Sequence, residues 1–264
     1  MTKVKNCGIY DGQSGQLEAI FSAVSEGPDI ATKTLYLNGE GVAEVSPDIL
    51  GTEAVKLTRL DLGYHPTSRQ IEEIITRLAT TQDNKLRELW VRGSVGGQIN
   101  ISHISPPEIV GDALLKLENF DSLLHYLALS HDQISHLMTK IKDIEDLGLT
   151  ELDLSSLDIS QVASDVVAGV VTKLERVVIG GVTPDQLQAI FTRLQFGGSR
   201  LKDLEVLEGD LSAVIPEVFL GALRVLEKVA FDLTTFSTDQ VTAILTMQTE
   251  GSQGKLKKLE MCAY

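Results

Sequence analysis

A short apolar motif of the form L-x-x-L-x-L recurs along the whole chain and constrains its fold more than any other feature. Clear copies begin at residues 57, 86, 149, 174, 201, 226 and 256. Weaker copies begin at residues 4, 32 and 117. Successive starts are separated by 25 to 32 residues. A near-constant period of this kind indicates a repeat architecture, in which each unit buries its apolar side chains against its neighbours.

The start near residue 117 has two candidates. "LHYLAL" from Leu124 fits the motif better than "LENFDS" from Leu117. In the shorter repeats, however, a proline lies ten residues before the next start, as Pro47 does before Leu57. Pro107 has the same spacing to Leu117, so the sequence predicts that the strand motif starts at Leu117.

Two types of repeat alternate, and they differ in how the helix begins. The longer type carries a capping box, T/S-x-x-Q, in which the hydroxyl accepts a hydrogen bond from a free backbone N–H of the first turn and the glutamine reaches back to the N–H of the cap residue itself. These boxes begin at Thr67, Thr183 and Ser237. The shorter type has proline near its first helical turn, where the missing N–H costs nothing, as in "SPDILGTEAVKL".

Each repeat is therefore predicted to contain a strand, a loop, a helix and a second loop. Side chains alternate along a strand, so the apolar positions of the motif face the helices and the intervening residues face away. Leu60, Leu152 and Leu204 hold the middle apolar position and are expected to be fully buried. Residues 187, 190, 191 and 194 are apolar at helical spacing and predict one buried helix face. The predicted fold class is α/β, a curved parallel sheet lined on its outer side by helices.

These motifs resemble the leucine-rich repeats, specifically the ribonuclease-inhibitor-like class with helical convex faces and alternating repeat lengths. The stretch "LEKVAFDLTTFSTDQVTAILT" is similar to the repeat arrays of NACHT-type innate immune receptors. The resemblance implies a solenoid, or horseshoe, of about ten repeats with a concave parallel sheet. The family usually has Asn three residues after the third apolar position, and this chain has other residues there: Glu40, His65, Leu157, Val182, Gly209 and Thr234.

The unbroken period predicts a single repeat domain over residues 1–264, because no linker or low-complexity tract interrupts it. The motif lies close to both ends of the sequence, so we expect either a segment of a longer array or end-to-end self-association. The largest irregularity is the glycine-rich stretch at 93–103, "GSVGGQINISH". It is either a binding loop or a surface insertion without function.

Composition and charge exclude several classes of partner. The formal net charge of −14 opposes phosphate backbones, so no nucleic acid partner is expected. The chain has neither a long apolar run nor the apolar core of a signal peptide, which predicts a cytoplasmic protein with no membrane partner. Cys7 and Cys262 lack C-x-x-C spacing and the histidines form no HExxH pattern, so no metal or cofactor is expected.

Catalytic motifs are missing from the sequence as well. "GGSR" at 197–200 and "GQSG" at 12–15 match neither the phosphate-binding nor the nucleophile pattern, so an enzyme is not expected. The leading interpretation is a non-catalytic module that recognises a protein through its concave sheet, and the resemblance suggests the ligand-sensing part of an innate immune receptor. The alternatives are a stoichiometric regulator or inhibitor of an enzyme such as a nuclease or small GTPase, and a structural spacer.

Outward strand positions in the N-terminal half carry aromatic and charged residues. "LRELWV" places Trp90, the only tryptophan, between the inward Leu89 and Val91, so its ring is expected on the solvent side. Interface hot spots are enriched in Trp, Tyr and Arg. The predicted partner-binding residues are Tyr36, Arg59, Asp61, Glu88, Trp90 and Arg92, with Tyr10 beside them. The alternative is that Trp90 packs on Tyr36 and the two arginine stems and covers the sheet without a partner. A second candidate surface is the acidic strands around Asp153, Asp203 and Glu205.

Overall fold

A parallel strand follows almost every predicted start of the repeat motif. The computed structural model describes residues 6–10, 15–20, 34–93, 97–145, 148–232, 235–249 and 255–262. Each strand of the two larger sheets begins two residues after a motif start, as β3 (Arg59–Asp61) does after Leu57. Leu117 is the one predicted start that no such strand follows.

The first of two compact units comprises residues 1–133. Its main sheet has four parallel strands that neighbour one another in chain order: β1 (Asn6–Tyr10), β2 (Thr34–Asn38), β3 and β4 (Glu88–Trp90). A separate parallel pair consists of β5 (Ile99–Asn100) and β6 (Leu127–Ala128). A 3-10 turn covers Glu40–Glu44. The helices are α1 (residues 15–20), α2 (Pro47–Ala54), α3 (Ser68–Thr80), α4 (Glu108–Leu114) and α5 (Phe120–Leu124).

The second compact unit comprises residues 134–264. Its parallel sheet has five strands in the neighbour order β7 (Glu151–Asp153), β8 (Arg176–Gly180), β9 (Asp203–Leu207), β10 (Lys228–Asp232) and β11 (Lys258–Cys262). Its helices are α6 (His131–Asp143), which begins before the boundary, α7 (Ser164–Val171), α8 (Pro184–Gln195), α9 (Pro216–Leu223) and α10 (Thr238–Thr249). The chain is thus an α/β protein with parallel sheets, and a single domain over residues 1–264 stays a prediction.

The apolar positions of the motif point into the core of each unit. Leu60, Leu152 and Leu204 are only 0, 3 and 2% exposed, so their predicted burial is confirmed. The predicted apolar face of α8 is also confirmed, since every one of its four residues is fully buried: Leu187, Ile190, Phe191 and Leu194. Full burial of one such side chain contributes about 1.5–3 kcal/mol to folding.

All three predicted capping boxes are present. At α8 the Thr183 N–H donates to the side-chain oxygen of Gln186 at 2.9 Å, and the Gln186 N–H donates to the Thr183 hydroxyl at 3.3 Å. The same reciprocal bonds open α3 and α10. A fourth box, absent from the predictions above, joins Ser130 and Gln133 at the start of α6.

Each capping-box glutamine also ties its helix to the preceding repeat. The side-chain nitrogen of Gln186 donates to the carbonyl oxygens of Ile159 and Val162, both at 2.7 Å. Gln70, Gln133 and Gln240 make the equivalent pair of bonds. These four side chains are at most 1% exposed. The side-chain oxygen and both side-chain N–H groups of each glutamine are hydrogen-bonded. Each of these buried amides is therefore fully satisfied.

Apart from the five-residue α5, short and long helices alternate from α2 to α10, as the two repeat types predict. The short helices α2, α4, α7 and α9 contain 8, 7, 8 and 8 residues. The long helices α3, α6, α8 and α10 contain 13, 13, 12 and 12 residues. Pro47 and Pro216 occupy the first turns of α2 and α9, as expected. Among the described residues, no helix is both long enough and apolar enough to traverse a bilayer.

The strand predicted near Leu117 is wrong. The chain runs beside β4 at Glu118, whose N–H donates to the Arg87 carbonyl at 2.6 Å, but residues 120–124 then form α5. The strand of this region is β6, in the rejected "LHYLAL" motif.

Asn119 provides the physical reason for this difference. Its side chain accepts from the Leu89 N–H at 3.1 Å and donates to the Leu89 carbonyl at 2.9 Å, so it satisfies the β4 groups that a strand would bind. Phe120, Leu123 and Leu124 then have helical spacing and are 4, 1 and 0% exposed. A single helical turn buries these three side chains together, and an extended strand would not.

The glycine-rich stretch at 93–103 is partly built into the first unit. Residues 94–96 lie outside the described residues, but Ile99 in β5 and Ile101 just after it are both fully buried. The Asn100 N–H donates to the Ser68 hydroxyl at 3.1 Å, and His103 lies 3.0 Å from Glu72. The described part of this stretch is therefore packed against the rest of the first unit. A binding role for its tip stays a prediction.

Aspartates hold several loops that follow the strands. The carboxylates of Asp61, Asp153 and Asp210 each accept the backbone N–H two residues ahead, at 2.9 to 3.0 Å. Such local bonds fix a turn without a partner from a neighbouring repeat.

Candidate functional site

The six predicted partner-binding residues lie together on the open face of the first sheet, which we define as the face opposite its buried apolar residues. The register aligns Tyr36, Asp61 and Trp90 in one row and Arg59 and Glu88 in the next. The Arg92 N–H donates to the carbonyl of Gly63, which extends the pairing beyond β4. Three adjacent parallel strands thus bring together side chains that are far apart in sequence. Tyr10 belongs to β1, and its side chain lies outside the described residues.

Arg59 is stacked between the two aromatic rings. Its guanidinium carbon lies 5.4 Å from the centre of the Tyr36 ring and 5.3 Å from that of Trp90. A cation over an aromatic face at partial exposure stabilises by about 0.5–1 kcal/mol. Both rings stay half-buried, and 32% of the Arg59 side chain is exposed. This packing agrees with the alternative in which Trp90 and Tyr36 cover the sheet, but it leaves part of both rings accessible.

Glu88 fixes the orientation of this stack. The same carboxylate oxygen, Oε2, accepts the indole N–H of Trp90 at 3.0 Å and lies 3.1 Å from Nη1 of Arg59. The Glu88 carboxylate therefore holds both the Arg59 guanidinium and the Trp90 ring on which that guanidinium stacks. Side chains restrained in this way lose little further rotational freedom when a partner binds.

The carboxylate of Asp61 is buried beneath the exposed side chains of this face. It is only 5% exposed, and its two oxygens bind different groups. Oδ1 accepts the Gly63 N–H at 3.0 Å, and Oδ2 lies 3.3 Å from the Arg92 guanidinium. The Arg92 side chain remains 56% exposed. Arg92 can thus reach a bound molecule while its charge is compensated.

A shallow depression of about 130 Å³ lies beside the stack and adds two residues to the site. Tyr36, Asp61 and Arg92 line it together with Asn38 and Tyr64. Asn38 is an outward residue of β2, so strand alternation alone could have identified it as a residue of this site. Tyr64 is 54% exposed and follows Gly63, whose φ is +61°. Because Tyr64 lies in a turn, strand alternation does not predict where its side chain points.

The open face of the second sheet carries paired charges instead of aromatic rings. A depression of about 440 Å³ on this face is lined by Glu151, Arg176, Asp203, Glu205, Lys228, Lys258 and Glu260, among others. Arg176 lies 3.3 Å from Glu151, and Lys228 lies 2.8 Å from Asp203. Of the acidic residues named from the sequence, Asp203 is therefore compensated within the sheet, and no ion pair within 4.0 Å is found for Glu205 in the described part of the chain.

Cross-strand ion pairs also flank this face. The Lys202 ammonium, 2.6 Å from Glu175, lowers the pKa of that carboxyl below its ordinary value of 4.5 through a charged hydrogen bond. Lys257 lowers the pKa of Glu227 in the same way. Acid and base alternate from strand to strand along this row.

The described ranges contain no group of three or more His, Cys, Asp or Glu side chains able to hold a metal ion. No family model and no curated protein matches this chain. A binding role for the six residues on the first sheet stays a prediction.

Proposed function

We propose that this chain is a leucine-rich repeat protein of the ribonuclease-inhibitor-like class, with about ten repeats, that recognises a protein partner without catalysing a reaction. The motif period, the alternation of short and long helices and the parallel in-register strands support this assignment. A parallel repeat sheet offers side chains from several repeats on one face, so recognition needs no chemistry of its own.

The observation that carries the proposal is the Arg59 stack on the open face of the first sheet. Two aromatic rings and a half-exposed Arg92 meet there, and hot spots are enriched in these residue types. The bonds of Glu88 and Asp61 hold the cations in place before any partner arrives, which reduces the entropy lost on binding. Trp90, Tyr36 and Arg92 form the centre of the proposed patch.

The partner class follows from the charge of this patch and from the family resemblance. Two cations and two anions compensate one another, so the patch suits a neutral, partly apolar protein surface better than a highly charged one. The similarity to NACHT-type arrays suggests that the chain is the ligand-sensing part of an innate immune receptor. That narrower assignment rests on the resemblance alone.

The experiment compares wild-type and Trp90→Ala chains as baits for cross-linking and mass spectrometry. Captured proteins are then purified and their dissociation constants measured by calorimetry. Loss of a hot spot should cost about 2 kcal/mol or more, which is roughly a 30-fold weaker affinity. Phe196→Ala is the matched control, because this aromatic side chain is 83% exposed and lies in the second unit.

Circular dichroism must show that both variants are folded. If every captured protein binds Trp90→Ala as tightly as wild type, the patch is not the binding site, and the strands around Asp153, Asp203 and Glu205 become the next surface to test. If no protein binds saturably, the spacer interpretation is favoured instead.

A further inference from the structure

The shallow depression beside the Arg59 stack is lined by side chains that can donate hydrogen bonds. Arg92, Asn38 and Tyr64 all face it, and its volume is about 130 Å³. Small-molecule pockets usually enclose roughly 300–1,000 Å³, so a space of this size suits one side chain of a partner better than a separate ligand. The groups that line the depression indicate the chemistry of that side chain.

Arg92 keeps an unused pair of N–H groups at the depression. Its Nη2 lies 3.3 Å from Oδ2 of Asp61, and 56% of its side chain is exposed. A guanidinium has two edges with paired N–H groups, and Nη2 contributes one hydrogen to each. A single bond to Asp61 therefore leaves the other edge complete. Two parallel N–H groups match the two oxygens of a carboxylate.

Asn38 and Tyr64 add two further donors. Both side chains are exposed, and neither has a hydrogen-bond partner among the described residues. Gly63 leaves the space beside them open, because a Cβ at this position would lie only 2.8 Å from Oδ1 of Asn38. The end of β2, the loop after β3 and the segment after β4 thus bring an amide, a hydroxyl and a guanidinium to one depression.

The exposed charge at the depression is positive. Asp61 is the one carboxylate in its lining, and it is 5% exposed with a bond to each oxygen, from the Gly63 N–H and from Arg92. A basic side chain of a partner would meet the exposed cation of Arg92 first. An acidic side chain would instead meet a guanidinium edge and two neutral groups that can donate.

We infer that this depression receives the carboxylate of an aspartate or glutamate side chain on the protein partner. The inference rests on the proposed function and adds one anchor to it. The free edge of Arg92 binds both carboxylate oxygens, and the Asn38 amide and the Tyr64 hydroxyl donate to the same group. A phosphate carries up to two negative charges and fits less well, since Asp61 already offsets the charge of Arg92.

The probe is aspartate blocked at both ends, N-acetyl-aspartate N-methylamide, titrated into the nitrogen-15-labelled 264-residue chain. The blocked asparagine is its neutral control. NMR signals of the Arg92 Nε–H and the Asn38 side-chain amide report binding, at constant ionic strength because salt screens charged contacts. We expect saturable shifts with a dissociation constant on the order of 10 mM for the aspartate, and at least about tenfold weaker binding of the asparagine.

Two variants test the assigned donors. Tyr64→Phe removes an exposed hydroxyl outside the core and should weaken aspartate binding by about threefold or more. Arg92→Met removes the guanidinium and should abolish the shift of the Asn38 amide. Arg224→Met, at an exposed position of the second unit, is the matched control and should bind the probe as wild type does.

Three results would overturn the inference. The first is no saturable shift up to about 100 mM blocked aspartate, or equal binding of aspartate and asparagine. The second is unchanged binding in both Tyr64→Phe and folded Arg92→Met. The third is tighter binding of blocked lysine at the same signals, which would assign the depression to a basic side chain beside Asp61.

The outcome is distinguishable from that of the proposed function, because the probe needs no captured protein. If a captured partner requires Trp90 but blocked aspartate does not bind, only the carboxylate anchor is wrong. If blocked aspartate binds as expected but Trp90→Ala retains every partner at wild-type affinity, the proposed binding patch is wrong and the anion preference of the depression stands.

Discussion

The side-chain nitrogen of Gln186 lies 2.7 Å from the backbone carbonyl oxygen of Val162, and both residues are buried. This bond joins the start of α8 to the loop of the preceding repeat. A residue that caps its own helix therefore also sets the distance between two repeats. Because the same arrangement recurs at four helices, it is a general way in which these repeats are held in register.

Replacing Gln186 by leucine should destabilise the second unit strongly. Leucine keeps much of the volume but leaves the carbonyl of Val162 and the N–H of Thr183 without partners, and the carbonyl of Ile159 keeps only its bond from the Val162 N–H. We expect a loss of about 2–4 kcal/mol in the free energy of unfolding, measured by urea denaturation. Gln195→Leu, at an exposed position of the same helix, should change stability by less than about 0.5 kcal/mol. Equal stability of the two variants would contradict the role given to Gln186.

Leu152→Ala tests the register of the strand motif. Leu152 is 3% exposed, so truncation removes buried surface and leaves a cavity. The expected cost is about 2–5 kcal/mol, and the thermal midpoint should fall accordingly. Leu245→Ala, at a residue 55% exposed, should have a much smaller effect. An unchanged midpoint for Leu152→Ala would show that the assigned register is wrong.

Arg59→Met tests the aromatic stack through the only tryptophan of the chain. Methionine keeps an apolar stem but removes the guanidinium that faces Trp90. Acrylamide should then quench Trp90 fluorescence more efficiently, because one face of the ring loses its cover. Stability should fall by no more than about 1 kcal/mol at this half-exposed site. Arg224→Met, in the second unit, should leave quenching unchanged, and a similar response in both variants would argue against the stack.

The ion pairs of the second sheet predict an acid-dependent contribution to stability. The pKa values of Glu175 and Glu227 are lowered by their hydrogen bonds to Lys202 and Lys257, respectively. Their stabilising contribution is therefore complete above the ordinary value of 4.5 and is lost as the pH falls through the lower, folded-state pKa.

Carbon NMR titration of the glutamate side chains measures this directly. In Lys202→Met the pKa of Glu175 should rise toward 4.5, while that of Glu227 should stay low. Because these groups are exposed, salt should weaken both shifts in the wild-type chain. A Glu175 pKa that does not respond to Lys202→Met would assign the shift to another cause.

The outward direction of a strand residue was predictable, but its accessibility was not. Alternation correctly places Asp61 and Trp90 on the open face of the first sheet. Asp61 is nevertheless only 5% exposed, since Gly63 and Arg92 bind its two oxygens. Trp90 keeps part of its ring accessible. These outcomes depend on side chains from other strands, which the pattern of a single strand does not contain.

Apart from the strand expected at Leu117, the starts of the motif strands, the burial of their middle apolar residues and the long helices α3, α8 and α10 were predictable from the sequence. These properties depend on the two-residue period of a strand, the 3.6-residue period of a helix and capping bonds within four residues, so each is written in a short stretch of chain. Contacts between repeats were needed to show that Asn119 replaces a strand beside Leu89, that Gln186 reaches the preceding repeat and that Leu245 is left exposed. Each of these depends on which groups a distant repeat brings into contact, because a hydrogen bond or an apolar contact forms only where both partners meet in space.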